Sequence, residues 1–542
     1  MVGPLPVGYY LDNFNLLLNF VAAHYDHLLN LEEIAWRTRF QALSLDAARL
    51  YVRLCSRKGP LFRVDKLGYT EIGDLPAAIE ELTAAGLVAF AAEEEPVTLL
   101  SLLSREELLA RIPGPADRRM RRAEILTELS GLMSTSDVLA CMPASVIRPL
   151  GLACLDVYRV LFFGNPYQGL TEFVLNDLGI TPYESYEIDA DGGAFPSREV
   201  MEDAMTIYAL GTHAHEVIPV AGADELKALA DALPLSDHDS NARRAARIRN
   251  RVARQLERLG QHASALEIYQ QVAAFPPARE RAARILAAQG DPVHALELCE
   301  QIRINPFDEA EYEFGVAFGT RLAKKLDQAP RFPSADMPVE VTNLVIAQLP
   351  GLRVEEQVRL VLAGEGQAFY VENALFPGLF GLVFWDIIFS PVKGAFINPF
   401  QRGPEDLFTP AFRQRRKDLI DARLDELSDP VQLREQVLET FDAKGSTANY
   451  FVHWGYLDRH LLETALAHIP AADLKAVFVR LLRDLRNNRS GFPDLVVFPD
   501  QGGYRLAEVK GPGDTLQKNQ RRWLAFFRSQ GVSAEVVSVQ WL

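Results

Sequence analysis

Two carboxylates and a lysine near the C-terminus have types and spacing that can hold a hard divalent cation. The segment 491–514 reads GFPDLVVFPDQGGYRLAEVKGPGD. Leu495–Phe498 is an apolar run of strand type, Pro499-Asp500-Gln501-Gly502-Gly503 is a turn, and Tyr504–Lys510 alternates as a second strand. The hairpin therefore sets Asp494 at the start of its first strand and can bring it beside Glu508 on the second. Side chains alternate along a strand, so Glu508 and Lys510 share a face while Val509 points into the core. Two adjacent carboxylates on an apolar hairpin repel each other unless a cation sits between them, and a hard divalent ion with oxygen ligands meets that need. Lys510 would then orient or deprotonate an attacking water, or neutralise charge developing on a phosphate. The bland alternative is an edge-strand ion pair with a turn aspartate.

The elements that must position this hairpin are mostly helical. Residues 457–486 read as helices leading into it, and a helix with Gln520 and Trp523 one turn apart follows the Gly511-Pro512-Gly513-Asp514 turn. Upstream, residues 1–95 read as a small module in which amphipathic helices precede a short hairpin, either winged-helix-like or a plain helical packing module. Residues 96–135 read as two short helices joined by a turn. Ser104 and Glu107 form a capping box for the first, and the second is expected over Arg118–Leu129. Its basic opening (Arg118, Arg119, Arg121 and Arg122) resembles a SAP module, whose arginines would contact DNA phosphates; a solvated basic face would look the same. Residues 136–235 read as a mostly helical connecting region. Residues 236–335 hold an internal repeat: a shift of 30 sets Arg251-Val-Ala-Arg254 over Arg281-Ala-Ala-Arg284, and Gly260 over Gly290. Stacked helical hairpins of tetratricopeptide-like type give this signature. Such arrays more often bind peptides, but Arg251, Arg254, Arg281 and Arg284 are candidates for cradling phosphates.

The totals exclude several classes. With 542 residues, 48% hydrophobic and 24% charged, the chain has ordinary globular composition and room for more than one core. Cys55, Cys141, Cys154 and Cys299 form no CxxC pair, which argues against a disulfide framework and a Cys-ligated zinc site. The longest apolar stretch, Leu375–Phe389, is too short for a membrane span and contains Asp386. The N-terminal residues lack a basic region followed by an apolar one, so a cytoplasmic, nucleoid-associated location is expected rather than secretion. Net charge is −16, which excludes a blanket nucleic-acid binder but not a restricted basic groove.

Pro493-Asp494 followed by Glu508-Val509-Lys510 is the PD-(D/E)xK pattern, so the expected fold is multidomain and α-rich, with a C-terminal α/β nuclease core of restriction-endonuclease type. The run from Asn488 through Gly491, Asp494, Glu508-Val509-Lys510-Gly511-Pro512, Asp514, Gln520 and Trp523 resembles the VRR-NUC nuclease domain, taken here as 336–542 with its leading helical segment. YVENALFPGLFGLVFWDIIF (Tyr370–Phe389), RLYVRLCSRKGPLFRV (Arg49–Val64) and VYRVLFFGNPYQGLTEFVLNDLGI resemble the Fanconi-associated nuclease family. That resemblance implies a structure-selective 5′-flap endonuclease and 5′-to-3′ exonuclease. It would use Mg²⁺ or Mn²⁺ on branched or flapped duplex DNA, in interstrand crosslink repair. It implies metal ligands at Asp494, Glu508 and the Val509 carbonyl, with Lys510 as the lysine and Glu372 as a further acid. From the residues alone Glu372 reads as a charge before an apolar helix, and Pro377 sets the start of that helix after it. Gln520 is a candidate near the metal, and Trp523 a core residue. The family's basic pocket for a 5′-phosphate has no residue-by-residue match. No Cys/His cluster suggests a ubiquitin-binding zinc finger, and protein partners are not indicated. Rival readings are a four-way-junction resolvase on the same domain and a non-catalytic helical scaffold.

Overall fold

The protein is described by a computed structural model over residues 7–112, 119–177, 181–188, 193–328 and 340–542. It divides into two compact units, Met1–Ile180 with Gly193–Met201, and Thr181–Gly192 with Glu202–Leu542. Among the described residues no helix is long and apolar enough to cross a membrane.

The first unit is helical with a small antiparallel sheet of β1 (Phe62–Arg63), β2 (Val88–Phe90) and β3 (Val146–Pro149), in the order β1-β3-β2. This corrects the expected hairpin. β1 and β2 do not pair with each other; β3, from the region read as connecting helix, lies between them. Long-range polar contacts draw it in: the Tyr51 hydroxyl donates to the Leu150 carbonyl at 2.6 Å, and Leu150 N donates to Leu87 O at 2.8 Å. The following Gly151 has φ +76°, and a Cβ there would lie 2.4 Å from the Trp36 ring, so the turn from β3 into the helix Leu152–Phe163 requires glycine.

The basic stretch also differs from its sequence reading. The helix after Ser104 runs Arg105–Arg111 and carries the expected capping box with Glu107, but the second helix begins only at Arg122. Arg122 is exposed, and its guanidinium donates to the carbonyls of Ser101 (2.7 Å) and Leu103 (3.2 Å) just past the helix Pro96–Leu100. It caps orphan carbonyls. Arg119 and Arg121 are exposed, and Arg118 lies outside the described residues.

In the second unit, helices Asp239–Arg258, His262–Gln271, Ala278–Ala288 and Pro292–Ile304 form two successive helical hairpins. Gly260 (φ +77°) and Gly290 (φ +90°) close equivalent first helices. The C-terminal part is built on β4 (Glu340–Ile346), β5 (Gly366–Tyr370), β6 (Leu495–Pro499), β7 (Arg505–Lys510) and β8 (Ala534–Trp541), in the order β4-β8-β7-β6-β5. β7 is parallel to β8, and β8 to β4; β6 is antiparallel to both its neighbours. Alternation splits the apolar residues between the two faces. Leu495, Val497, Ala507 and Val509 pack with Val358 and Leu362 of the helix Val354–Leu362. Val496, Phe498 and Leu506 pack with Leu379, Trp523 and Phe527 of the helices Leu375–Val383 and Lys518–Ser529. Both faces are covered, so polar groups on the central hairpin are shut away from water.

Candidate active site

The β6–β7 register runs Leu495 to Ala507 and Val496 to Leu506, so the next pair outward is Asp494 with Glu508. Both are buried, Asp494 at 6% exposure and Glu508 at 0%. β5 leaves the sheet beside them: Tyr370 pairs with Leu495, and Val371 N donates to Asp494 O at 2.8 Å. Glu372 follows at once, before the helix Leu375–Val383, and is exposed. The hairpin thus carries Asp494, Glu508 and Lys510 to one edge, and Glu372 lies just past the end of β5, which pairs with Leu495 beside them.

Local hydrogen bonds hold these groups unequally. Asp494 Oδ2 accepts from Val509 N at 2.8 Å. The N–H and C=O of one residue in an extended strand point to the same side, so the Val509 carbonyl also faces the Asp494 side. Glu508 accepts no backbone N–H and no neutral side-chain hydrogen bond among the described residues. The Lys510 ammonium stands 2.7 Å from its Oε1 as a charge-assisted pair, and Asp494 faces it across the hairpin. Burial raises the Asp494 carboxyl above its ordinary range; the Val509 N–H offsets part of this, and the charge of Glu372 adds to it. Burial also raises Glu508, reinforced by Asp494 and opposed by Lys510. Buried carboxylates that face each other are costly, and a single lysine stands beside this pair.

These residues fit a divalent metal ion. The two oxygens of Glu508, the free oxygen of Asp494 and the Val509 carbonyl offer hard oxygen donors. Glu372 lies near enough for its charge to raise both buried carboxyls. Among the described residues, however, no three acidic, histidine or cysteine side chains already converge into a ligand cage. Glu372 is held instead by a donor from the Tyr370 hydroxyl and by Asn373 Nδ2 at 3.3 Å. Glu355, in the first turn of Val354–Leu362, adds negative potential at Asp494; nothing in the sequence singled it out.

The other expected residues are placed as follows. Gln520 commits its side-chain oxygen to the N-terminus of Lys518–Ser529, accepting from Gln517 N at 2.9 Å. Trp523 is buried, stacked on Phe492 at 3.9 Å, with its indole N–H donating to Asn488 O. Three of the repeat arginines are engaged internally. Arg281 and Arg254 both pair with Glu257, and Arg284 pairs with Glu280 and lies over the Phe314 ring. Arg251 reaches the Ala214 carbonyl at 3.5 Å. Other arginines lie within charge–charge reach of Arg486, although Arg243 also pairs with Asp239 at 3.2 Å. Arg486, which reaches solvent, is held below its ordinary pKa by partial burial and then by repulsion from Arg247 and Arg243, with Arg489 adding to it. Like charges held together in this way favour an anion. Arg243 and Arg247 stand on the arginine-rich helix, but their partners come from just before Asp494, a pairing that spacing alone cannot reveal.

Comparison with known proteins decides the family. Residues 429–541 match the VRR-NUC domain, and residues 8–89 match the FAN1 HTH domain. The Fanconi-associated nuclease 1 homolog of Pseudomonas aeruginosa is 36% identical, with 99% of this chain and 98% of that protein aligned. The chain belongs to the Fanconi-associated nuclease 1 family. The Arabidopsis thaliana homolog is 26% identical over 97% of this chain and 66% of its own length; for the human protein the figures are 26%, 98% and 62%. The crystal structure of paFAN1 bound to a 2-nt 5′-flap DNA with a gap superposes with a TM-score of 0.91 at 34% identity, covering 100% of both chains. A second, with a 1-nt 5′ flap, gives 0.88 over 99% of each. The C-terminal sheet is accordingly the nuclease core of a divalent-metal nuclease family.

Proposed function

We propose that this protein hydrolyses phosphodiester bonds in 5′-flapped and branched duplex DNA, degrades duplex DNA 5′ to 3′, and acts in interstrand crosslink repair on cytoplasmic, nucleoid-associated DNA. The observation that carries the reading is Glu508: fully buried, facing a second buried carboxylate, Asp494, with the Lys510 ammonium 2.7 Å away. The substrate class is supported by the paFAN1 complexes with 5′-flap DNA.

Asp494, Glu508, the Val509 carbonyl and Glu372 would hold the metal, Mg²⁺ or Mn²⁺. A bound ion would supply an activated water and neutralise charge on the scissile phosphate. The chain's own residues do the rest. Asp494 is oriented by the Val509 N–H, so one oxygen is fixed and the other is left for the ion. Lys510 is largely buried, yet its ammonium stands next to Glu508 at the strand end. It is placed to hold a proton of the attacking water or to face the charge developing at phosphorus. Arg243, Arg247, Arg486 and Arg489 are the group best placed to hold DNA phosphates, with exposed Arg119 and Arg121 contacting a duplex arm. Phosphate contacts position the substrate without reading sequence.

The test is a cleavage panel of end-labelled 5′-flap, 3′-flap, four-way and blunt DNA, each with Mg²⁺, Mn²⁺ or EDTA. Metal-dependent cutting that favours the 5′ flap is expected. Symmetric cutting of four-way junctions with flaps ignored would replace this specificity, and flap binding without cutting in either metal would remove the nuclease reading.

A further inference from the structure

We infer that Asn373 is a positioning residue that sets the Glu372 carboxylate against the Asp494–Glu508 pair; the inference rests on the metal-dependent reading above. Asn373 has φ +51°, one of three non-glycine residues in the left-handed region among the described residues. Asparagine tolerates that conformation better than most residues, but still at a cost. Its side chain accounts for the placement. Asn373 Oδ1 accepts from Gly491 N at 2.7 Å and from Phe492 N at 3.2 Å, so one carbonyl ties down two consecutive N–H groups of the loop that ends in Pro493-Asp494. The other end of the same amide, Nδ2, donates to Glu372 Oε1 at 3.3 Å.

The loop it grips is itself fixed. Gly491 has φ +94°, and a Cβ there would lie 2.7 Å from the Asn519 backbone carbon, so this loop seats directly on the first turn of the helix Lys518–Ser529. One planar amide therefore links the exit of β5, the loop before β6 and the carboxylate between them. Asp494 and Glu508 are positioned by adjacent strands, whereas Glu372 is beyond the sheet and has no strand partner to fix it. Asn373 supplies what the ladder does not. The Tyr370 hydroxyl donates to the other oxygen of Glu372, leaving the carboxylate held from both sides on the approach to the buried pair.

The experiment is a double-mutant cycle on the full chain, read by Mn²⁺ binding to EDTA-stripped protein in calorimetry rather than by cleavage. Asn373→Gly is the first variant, because glycine accepts φ +51° and removes the side-chain bonds without adding backbone strain. Glu372→Gln is the second, and both together the third. Asn373→Gly is expected to weaken Mn²⁺ binding about tenfold, the usual scale for residues that orient a metal ligand. That loss should disappear when Glu372 is already glutamine. Affinity for 5′-flap DNA in EDTA should stay within about twofold of wild type, the scatter allowed for an uncoupled site. An equal loss in both backgrounds would overturn the assignment, as would a collapse of metal-free DNA binding. Wild-type protein that takes up no Mn²⁺ would overturn both this assignment and the metal-dependent reading, which separates the two failures.

Discussion

Replacing Glu508 by glutamine should stabilise the metal-free protein, and the size of the effect follows from its surroundings. Glu508 is fully buried and faces Asp494, and burial holds its carboxyl well above the ordinary value of about 4.5 in spite of the Lys510 ammonium 2.7 Å away. Below that ordinary value both folded and unfolded states are protonated, and Glu508 carries no penalty. As pH rises, the unfolded chain releases its proton first, so stability falls by ~1.4 kcal/mol per pH unit until the folded group also ionises. With the Lys510 ammonium already counted in that shift, the accumulated loss is on the order of 2 kcal/mol at about pH 6 and larger at about pH 7.5. Glutamine has the same shape and no proton to lose. For a unit of this size, 1 kcal/mol corresponds to roughly 1–2 °C. Glu508→Gln should therefore melt a few degrees above wild type in EDTA, with the gap widening between about pH 6 and about pH 7.5. Saturating Mn²⁺ should raise the melting temperature of wild type and leave the variant where it was. Differential scanning fluorimetry at both pH values measures this. A variant that melts below wild type in EDTA, or a gap that narrows as pH rises, would show that Lys510 more than offsets the burial of Glu508 and refute the reasoning.

Other outcomes follow from the same geometry. Lys510→Met should slow flap cleavage by about a hundredfold or more. It should leave Mn²⁺ affinity equal or tighter, because the ammonium beside Glu508 competes with the ion; weaker binding in titration calorimetry would contradict this. Arg486→Ala and Arg247→Ala should weaken flap binding and each reduce the salt dependence of log Kd by about one unit. Neither should lower the melting temperature, because each relieves like-charge repulsion. Arg281→Ala should do the reverse. It breaks the partly buried pair with Glu257, lowering stability by on the order of 2 kcal/mol, while flap affinity in an electrophoretic shift assay stays near wild type.

The hairpin that carries the chemistry was legible because its signals are local. Leu495–Phe498, the Pro499–Gly503 turn and the alternation through Lys510 fix the strand faces, and those faces bring Asp494 beside Glu508. The rest of the sheet was not legible. β4 is largely exposed and pairs with β8 almost two hundred residues later, so neither an alternating pattern nor a nearby turn marks it. In the first unit β3 slips between β1 and β2 for the same reason: its partners are chosen by contacts such as Tyr51 with Leu150, not by neighbours in the chain. The arginines show the limit most clearly. A basic run gives charge without direction. Arg281 pairs with Glu257, while Arg243 and Arg247, whose charges bear on Arg486, come from a segment more than two hundred residues away. Glu372 entered through family resemblance alone. Its setting depends on Tyr370 and on an amide that bonds across to residues 491 and 492, a contact between distant segments.

The central claim is that Asp494 and Glu508 together hold the metal that cuts DNA. The most direct measurement is cleavage of an end-labelled 5′-flap duplex by wild type and Asp494→Asn across a Mn²⁺ titration, with flap affinity measured in EDTA. Asparagine keeps the shape and an acceptor for the Val509 N–H but removes the charge. The account predicts that wild type cuts only with metal, and that the variant binds the flap equally well but cuts at least about a thousandfold more slowly at every Mn²⁺ concentration. Cleavage by Asp494→Asn at near wild-type rates, or cutting by wild type that persists in EDTA, would contradict it.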